Sequence, residues 1–212
     1  MSREFKPPKL YPVTDRRLSG LSHAEQVARL VEGGADFIQL REKHLSPREF
    51  YGEAGEALKV ARARGAKLII NDRADIALAL GADGVHLGQD DMPPSAARAL
   101  LGEGAVVGFS THSVEQAIAA ARLPVDYIAV GPVFATTSKE KPDPQVGLEG
   151  LRRVREAVGV SVRLVAIGGV TRENARAVLD AGADSVAVIS ALLRPEDPSE
   201  ITRLTRDFLD GL

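Results

Sequence analysis

The sequence lacks several features that would each indicate a class of protein. It contains no cysteine, which excludes a disulfide framework and thiolate chemistry. No uninterrupted apolar run approaches the ~18 residues that a membrane span requires, and the opening stretch, MSREFKPPKL, has no apolar core of a signal peptide. A formal net charge of −2 creates no field that would attract nucleic acid or an anionic membrane. We therefore expect a soluble cytoplasmic protein with no nucleic-acid partner and no membrane partner.

Short β-like runs alternate with longer amphipathic segments along the whole chain. With 212 residues and 22.5 kDa, the chain is long enough for one barrel or one doubly wound domain. Strands that alternate with helices predict parallel pairing through right-handed crossovers. The predicted strands lie at 9–15, 37–42, 67–72, 84–88, 105–110, 127–132, 163–169 and 185–190. Several predicted helices stop at a glycine that would form a left-handed cap, namely Gly33, Gly65, Gly81 and Gly182.

An internal repeat separates the two architectures. Four copies of a helix end, an aspartate and an apolar strand favour a closed barrel over an open sheet. The doubly wound sheet is disfavoured because DRRLSG, after the first strand, lacks the G-x-G-x-x-G turn. The copies are GADFIQLR (34–41), GADGVHLG (81–88), GADSVAVIS (182–190) and the looser PVDYIAVG (124–131). The sequence thus predicts an α/β fold, a single (β/α)8 TIM barrel over residues 1–212, with EKPDPQ (140–145) as a loop.

The loops after the strands build the active site of such a barrel, so the strand ends carry the functional signal. The second strand ends in QLREK, where period two places Gln39, Arg41 and Lys43 on one face. Two cations and an amide at a barrel mouth form an anion site, because an arginine can bind phosphate through two hydrogen bonds. A solvated strand end is the alternative, although an unpaired amide at Gln39, inside an apolar run, would be costly.

Carboxylates follow the third and fourth strands. The third strand ends in Asn71 and Asp72, and Asp90 and Asp91 come after the fourth. Neighbouring strands lie ~4.8 Å apart, so Asp72 and one of the two later aspartates can reach a common ion. Magnesium shared with a diphosphate suits them, since this ion usually takes one or two carboxylates with substrate oxygens and water. The alternative is that each aspartate caps the helix that follows it.

The remaining strand ends predict a second anion site. GFSTHS ends the fifth strand, and a hydroxyl-rich, cationic loop (136–139) follows the sixth. The glycine pair at 168–169 would let backbone N–H groups approach a phosphate, and Ser190 after the eighth strand adds a hydroxyl. A plain tight turn is the alternative for the glycine pair. Two anion sites imply two phosphorylated substrates or one bisphosphate.

At this point the chain resembles a known family, that of thiamine phosphate synthase. The motifs that carry the resemblance occur in family order and cover nearly the whole chain: QLREK, NDRADIALALGADGVHLGQDD, GFSTHS, GPVFATTSK, AIGGV and VIS. The resemblance implies that 4-amino-2-methyl-5-(diphosphomethyl)pyrimidine is joined to a carboxythiazole phosphate, giving thiamine phosphate, pyrophosphate and carbon dioxide. It also implies that pyrophosphate leaves first and that the thiazole nitrogen then attacks the pyrimidine methyl cation.

The same resemblance implies roles for individual residues. The pyrimidine diphosphate would be held by Gln39, Arg41, Lys43, Asn71, Ser110 and Lys139. The thiazole phosphate would be held by Thr136, Ser138, Gly168, Ile189 and Ser190. Asp72 and Asp91 would bind one Mg2+ per active site, and Asp90 would face solvent. Arg41, Lys43 and Lys139 would be catalytic, because they stabilise the charge that develops on the departing oxygen.

Two rival functions remain open. A related barrel, the thiazole tautomerase, isomerises the thiazole phosphate with a histidine in a similar S-x-H-S setting, which His112 would fit. GVHLGQDD argues against it, because an isomerase that handles no diphosphate needs no magnesium carboxylates. The other rival is a non-catalytic barrel that binds thiamine intermediates. His86, in mid-strand, and His112 are left outside the catalytic set, and a homodimer is an open alternative to a monomer.

Overall fold

Eight parallel strands form a closed barrel in chain order, β1-β2-β3-β4-β5-β6-β7-β8. The computed structural model describes residues 5–136, 143–194 and 197–212. The strands are β1 (Leu10–Thr14), β2 (Phe37–Leu40), β3 (Lys67–Asn71), β4 (Gly84–Leu87), β5 (Val106–Thr111), β6 (Tyr127–Val130), β7 (Leu164–Ile167) and β8 (Ser185–Val188). Each strand pairs in parallel with the next, and β8 pairs with β1. The predicted TIM barrel and all eight predicted strands are confirmed.

Helices follow the strands and surround the barrel. They are α1 (Arg16–Ser19), α2 (His23–Glu32), α3 (Pro47–Ala63), α4 (Ala74–Leu80), α5 (Pro94–Leu101), α6 (Val114–Ala120), α7 (Gly147–Val158), α8 (Arg172–Asp180), α9 (Ser190–Leu193) and α10 (Glu200–Asp210). Ser22 and Ser46 begin α2 and α3 with capping boxes, which satisfy the first backbone N–H groups. Among the described helices, none is both long and apolar enough to cross a bilayer.

Three of the four predicted glycine caps have a left-handed backbone, and one prediction is wrong. Gly65, Gly81 and Gly182 have φ values of 73°, 61° and 110°. Gly33 is right-handed, with φ −74°, and Gly34 takes the positive φ of 106° instead. Gly33 is required for another reason, since a Cβ there would lie 2.5 Å from Cβ of Thr205 on α10.

The core has two layers because successive strand residues point to opposite faces of the barrel wall. The outer layer packs the strands against the helices. The inner layer fills the barrel with Tyr11, Val13, Phe37, Ile69, Val106, Tyr127, Ala129, Val165 and Ala187. Phe5 packs against Phe37 and Tyr127, the first residues of β2 and β6, and so covers the N-terminal end of the barrel.

The internal repeat of the sequence lies at this N-terminal end. Three aspartates of the repeat accept the backbone N–H of a residue in the preceding strand, Asp83 from Leu68, Asp126 from Val107 and Asp184 from Leu164, at 2.7–2.9 Å. Arg98 and Arg155, from α5 and α7, pair with the last two at 2.6 Å. The repeat therefore ties strand pairs together at the end of the barrel opposite the predicted active site.

Candidate active site

Asp72 and Asp91 meet at the C-terminal end of the barrel. Their side chains are in hydrogen-bonding contact, and Nζ of Lys43 contacts Oδ2 of Asp72. Asp90 is exposed, as predicted. Neither aspartate caps a helix, because Arg73 and Pro93 occupy the N-cap positions of α4 and α5 without a side-chain cap. The capping alternative is therefore wrong for both Asp72 and Asp91.

Two backbone features hold these carboxylates in place. Asp72 has a left-handed backbone with φ 62°, and its N–H donates to the carbonyl of His86 at 2.7 Å. This conformation costs a non-glycine residue about 1–2 kcal/mol, although aspartate tolerates it better than most. Oδ2 of Asp91 accepts the N–H of Gly88 at 2.7 Å, so the chain folds back after β4. A Cβ at position 88 would lie 3.1 Å from that same oxygen.

The carboxylate pair is electrostatically strained. Burial raises the pKa of Asp91, and the adjacent Asp72 raises it further, while Lys43 acts in the opposite sense. Two carboxylates in contact are stabilised by a shared proton or a bound cation. No group of three or more acidic, histidine or cysteine side chains gathers at one point in the described parts of the chain. Two hard oxygen donors still fit magnesium, which completes its shell with substrate oxygens and water.

The three predicted binding residues of the QLREK segment contact three different partners. β2 ends at Leu40, so the alternation predicted to continue to Lys43 stops there. Gln39 points into the barrel, where its Nε2 donates to the Tyr11 hydroxyl at 3.2 Å. Arg41 turns toward β1 and pairs with Asp15 at 3.0 Å, whereas Lys43 turns toward β3 and Asp72. The two cations thus lie on either side of the segment, each beside one carboxylate.

A buried network fixes this segment from behind, and sequence reasoning missed it. Oε1 of Glu42 accepts the N–H groups of Lys43 and His44 at 2.8 and 2.7 Å. Oε2 lies 3.4 Å from Nε2 of His23, whose Nδ1 is 2.8 Å from Oγ1 of Thr14. Burial alone would raise the pKa of Glu42, but the backbone donors and His23 hold it below its ordinary value. An acidic residue between two cations was the signal available in the sequence.

Asn71 supplies an unsatisfied amide at the mouth. It is the last residue of β3, directly before Asp72, and only 6% of its surface is exposed. Its Nδ2 is one of two buried side-chain polar atoms without a hydrogen bond among the described residues; the other is Nε2 of His23. Buried amides in native proteins are usually hydrogen-bonded, so Asn71 is suited to bind an acceptor on a ligand.

Ser110 and both histidines near it have defined partners. Ser110 lies on β5, half-buried, with Oγ 2.8 Å from Nε2 of His86. Burial lowers the pKa of His86 to about 4, which keeps the ring neutral near pH 7. His112 contacts the carbonyl of Gly131 through Nδ1 at 2.6 Å, and its Nε2 lies 3.5 Å from Asp143. The interpretation of His86 as a structural residue is consistent with these contacts.

The glycine pair after β7 allows the β6 loop to pack closely. Gly168 and Gly169 have φ values of 99° and 64°. A Cβ at either position would lie 2.5 Å from the β6 loop, at Pro132 or Ala135. The loop also donates two backbone hydrogen bonds to the end of β7, from Val133 and Phe134. These contacts bring the end of β6 beside β7.

The predicted thiazole-phosphate residues are therefore only partly described. Gly168 and Thr136 belong to the adjoining β7 and β6 ends, and Ser190 begins α9 directly after Ile189. Ser138 and Lys139 lie outside the described residues. The residues that are described follow strands β6, β7 and β8, on the side of the mouth away from β3 and β4.

The family model and the sequence relatives of this chain agree on one family. The family model described as thiamine monophosphate synthase matches residues 10–192. The chain is 46% identical to the thiamine-phosphate synthase of Chloroflexus aurantiacus over 199 residues, 93% of this chain and 91% of that protein. It is 49% identical to that of Koribacter versatilis over 200 residues, 91% of this chain and 92% of that protein. Its fold is similar to thiamine phosphate pyrophosphorylase from Pyrococcus furiosus, with a TM-score of 0.82, 40% identity and 95% of each chain covered. The chain belongs to the thiamine monophosphate synthase family.

Proposed function

We propose that this chain joins the pyrimidine diphosphate to the carboxythiazole phosphate, releasing pyrophosphate and carbon dioxide and forming thiamine phosphate. One observation carries the proposal at the site itself. Asp72 contacts both Asp91 and Lys43 at the barrel mouth, next to the unsatisfied amide of Asn71. Paired carboxylates beside a cation suit a diphosphate bound with a metal ion. The family membership of the chain supports the same reaction.

The chain's cations stabilise the departure of pyrophosphate. Charge develops on the leaving oxygen as the carbon–oxygen bond breaks, and Lys43 and Arg41 stand on either side of the QLREK segment to offset it. Asp72 and Asp91 would hold magnesium, which neutralises part of the same negative charge when bound. Lys139, outside the described residues, would be the third cation. Removal of one such donor should cost about 2.7–4 kcal/mol of transition-state stabilisation.

The thiazole phosphate would bind on the opposite side of the mouth. Gly168 has the positive φ that exposes backbone N–H groups, and Ile189 and Ser190 form the turn into α9. Thr136 and Ser138 would add hydroxyl donors from the β6 loop. The two phosphorylated substrates would then approach each other across the barrel axis.

The reaction demands no strong protein base, and the histidines fit this requirement. His86 is neutral and buried, and both of its ring nitrogens have partners. Nδ1 of His112 contacts the Gly131 carbonyl. We propose that the pyrimidine methyl cation, formed when pyrophosphate leaves, is stabilised by the amino group on the pyrimidine ring of the substrate. A cytoplasmic location and a homodimer remain predictions from the sequence.

The proposal is tested by measuring pyrophosphate release with both substrates, with and without magnesium. We expect release that requires both substrates and the metal, with thiamine phosphate formed in equal amount. Loss of the starting thiazole isomer without pyrophosphate release would favour the tautomerase. Calorimetric binding without any release would favour a non-catalytic barrel. Either outcome would contradict the proposed function.

A further inference from the structure

A chain of hydrogen-bonded side chains crosses the interior of the barrel and ends at the active site. It runs from Gln39 on β2 through Tyr11, Tyr127 and His86 to Ser110 on β5. The distances are 3.2 Å from Gln39 Nε2 to Tyr11, 3.0 Å between the two tyrosine hydroxyls, 2.9 Å from Tyr127 to His86 Nδ1 and 2.8 Å from His86 Nε2 to Ser110. The two end residues are both expected to bind the pyrimidine diphosphate, so these hydrogen bonds link two parts of one binding site.

Packing inside the barrel holds these hydrogen-bonded side chains in place. Tyr11 and Tyr127 are each only 1% exposed, and burial raises the pKa of both hydroxyls. A Cβ at Gly108 would lie 2.1 Å from Cζ of Tyr127, so only glycine leaves room for the tyrosine ring against β5. The same ring stacks on His86, with centroids 5.6 Å apart and planes at 13°. The geometry of the chain is thus fixed by backbone and ring packing.

With Nε2 of Gln39 facing the Tyr11 hydroxyl, one arrangement of protons satisfies every buried donor in the network. The Gln39 NH2 group can only donate, so the Tyr11 oxygen accepts from it. The Tyr11 proton then has the Tyr127 oxygen as its acceptor within the chain. Tyr127 in turn donates to Nδ1 of His86, which leaves the neutral ring protonated at Nε2. That N–H donates to Oγ of Ser110.

This arrangement of protons determines the role of Ser110, the half-buried residue at the end of the hydrogen-bonded series. Because its oxygen accepts from His86, its own proton is not used inside the barrel. In the reverse arrangement that proton would point at His86 and could not reach a ligand. The direction of these hydrogen bonds therefore presents the Ser110 hydroxyl to the barrel mouth as a donor. A hydrogen-bond donor there would pair with an acceptor nitrogen on a bound heterocycle.

We propose that Tyr11, Tyr127 and His86 are positioning residues that orient the Ser110 hydroxyl as a donor to the pyrimidine nitrogen beside the amino group. This inference rests on the proposed function, since it takes the pyrimidine diphosphate as the ligand. The aminopyrimidine carries a lone pair on the nitrogen beside its amino group. The corresponding 4-oxo compound carries a hydrogen on that nitrogen, so the nitrogen cannot accept the Ser110 proton.

The test compares the binding of these two diphosphates by calorimetry. Wild-type protein should bind the oxo compound at least about tenfold more weakly, the penalty of a mismatched buried hydrogen bond. Tyr127→Phe breaks the chain without changing ring volume, so discrimination should fall to within about threefold. Tyr51→Phe is the matched control, because Tyr51 lies on α3, 46% exposed. This control should discriminate as wild type does.

Two further measurements separate positioning from mere stability. Tyr127→Phe should raise KM for the pyrimidine diphosphate and leave KM for the thiazole phosphate unchanged. His86→Gln, which offers one acceptor and one donor, should retain discrimination, whereas His86→Leu should lose it. Tyr11→Phe tests the same chain if Tyr127→Phe folds poorly.

The outcomes are distinguishable from failure of the proposed function. Full discrimination in Tyr127→Phe and Tyr11→Phe, or none in a wild-type protein that releases pyrophosphate normally, would overturn the inference alone. A wild-type protein that binds neither diphosphate and releases no pyrophosphate would overturn both.

Discussion

At the scale of single residues, position along the chain matters less than the direction of the side chain. Asp90 and Asp91 are adjacent, yet Asp90 faces solvent and Asp91 turns back to the Gly88 N–H and to Asp72. Glu42 lies between two cations of the same segment, yet its carboxylate lies beside His23 and accepts backbone N–H groups. The function of each acidic residue is therefore decided by the turn that carries it.

Replacement of Asp91 by alanine should impair turnover far more than folding. The variant loses one of the two proposed magnesium ligands, so pyrophosphate release at saturating magnesium should fall about a hundredfold or more. Thermal unfolding should change little, because the substitution also removes an unfavourable carboxylate contact. Asp90→Ala is the control and should behave as wild type. Equal turnover in Asp91→Ala at saturating magnesium would refute this role.

His86 should make the fold sensitive to acid. Its pKa is lowered from 6.5 to about 4 by burial, so the neutral form is favoured in the folded state. The stabilisation of the fold by neutral His86 is complete above pH 6.5, the ordinary pKa. It is lost as the pH falls from 6.5 to about 4, because the unfolded chain then binds a proton that the folded chain does not. Between pH 7 and 4.5, wild type should lose about 2–3 kcal/mol more unfolding free energy than His86→Gln. Denaturant unfolding at both pH values measures this, and identical losses in both proteins would contradict it.

At the scale of elements, the loops after the strands are held by contacts with the residues beneath them. The segment after β2 is held by Glu42 and His23, and the loop after β6 lies against Gly168 and Gly169. Neither arrangement relies on contacts within the loop alone. A substitution beneath a loop should therefore act on the substrate that this loop binds.

Glu42→Ala tests this for the segment that carries Arg41 and Lys43. Loss of the carboxylate frees backbone N–H groups at Lys43 and His44, so KM for the pyrimidine diphosphate should rise about tenfold or more. Glu49→Ala is the matched control, since Glu49 accepts the Ser46 N–H at 2.9 Å in an exposed capping box. If both variants change KM equally, the buried network has no special role in binding.

At the scale of the whole molecule, the two ends of the barrel have different tasks. The repeated aspartates and their arginines lie at the N-terminal end, and the proposed substrate groups lie at the C-terminal end. This division is general for the fold, because the loops after the strands build the active site. That residues 1–212 form one domain stays a prediction.

Asp184→Ala should therefore lower stability and leave catalysis unchanged. Its carboxylate accepts the Leu164 N–H at 2.8 Å and pairs with Arg155 at 2.6 Å. Loss of these bonds should lower the free energy of unfolding by about 1–3 kcal/mol. Asp180→Ala, an exposed helix position paired only with Arg176 in the described structure, should cost about 0.5 kcal/mol or less. A changed KM for either substrate in Asp184→Ala would contradict the separation of the two ends.

Much of the fold could be predicted because apolar runs and helical periods are local signals. The four copies of the repeat favoured a closed barrel over an open sheet. The structural reason for the repeat, a hydrogen bond from the preceding strand to the aspartate, was not visible in the sequence. The choice of Asp91 over Asp90 could not be made from spacing, because it depends on the Gly88 turn. The hydrogen-bonded side chains inside the barrel were not predicted, because Tyr11 and Tyr127 lie 116 residues apart and each is expected simply to be a core aromatic residue.

The most direct test of the account is whether Asp72 and Asp91 hold a divalent cation together. Mn2+, a paramagnetic substitute for magnesium, can be titrated in the presence of pyrophosphate and followed by electron paramagnetic resonance. We predict one Mn2+ per chain in wild type and in Asp90→Asn, and binding weakened about tenfold or more in Asp72→Asn and in Asp91→Asn. Wild-type affinity in both of these last variants would contradict the account.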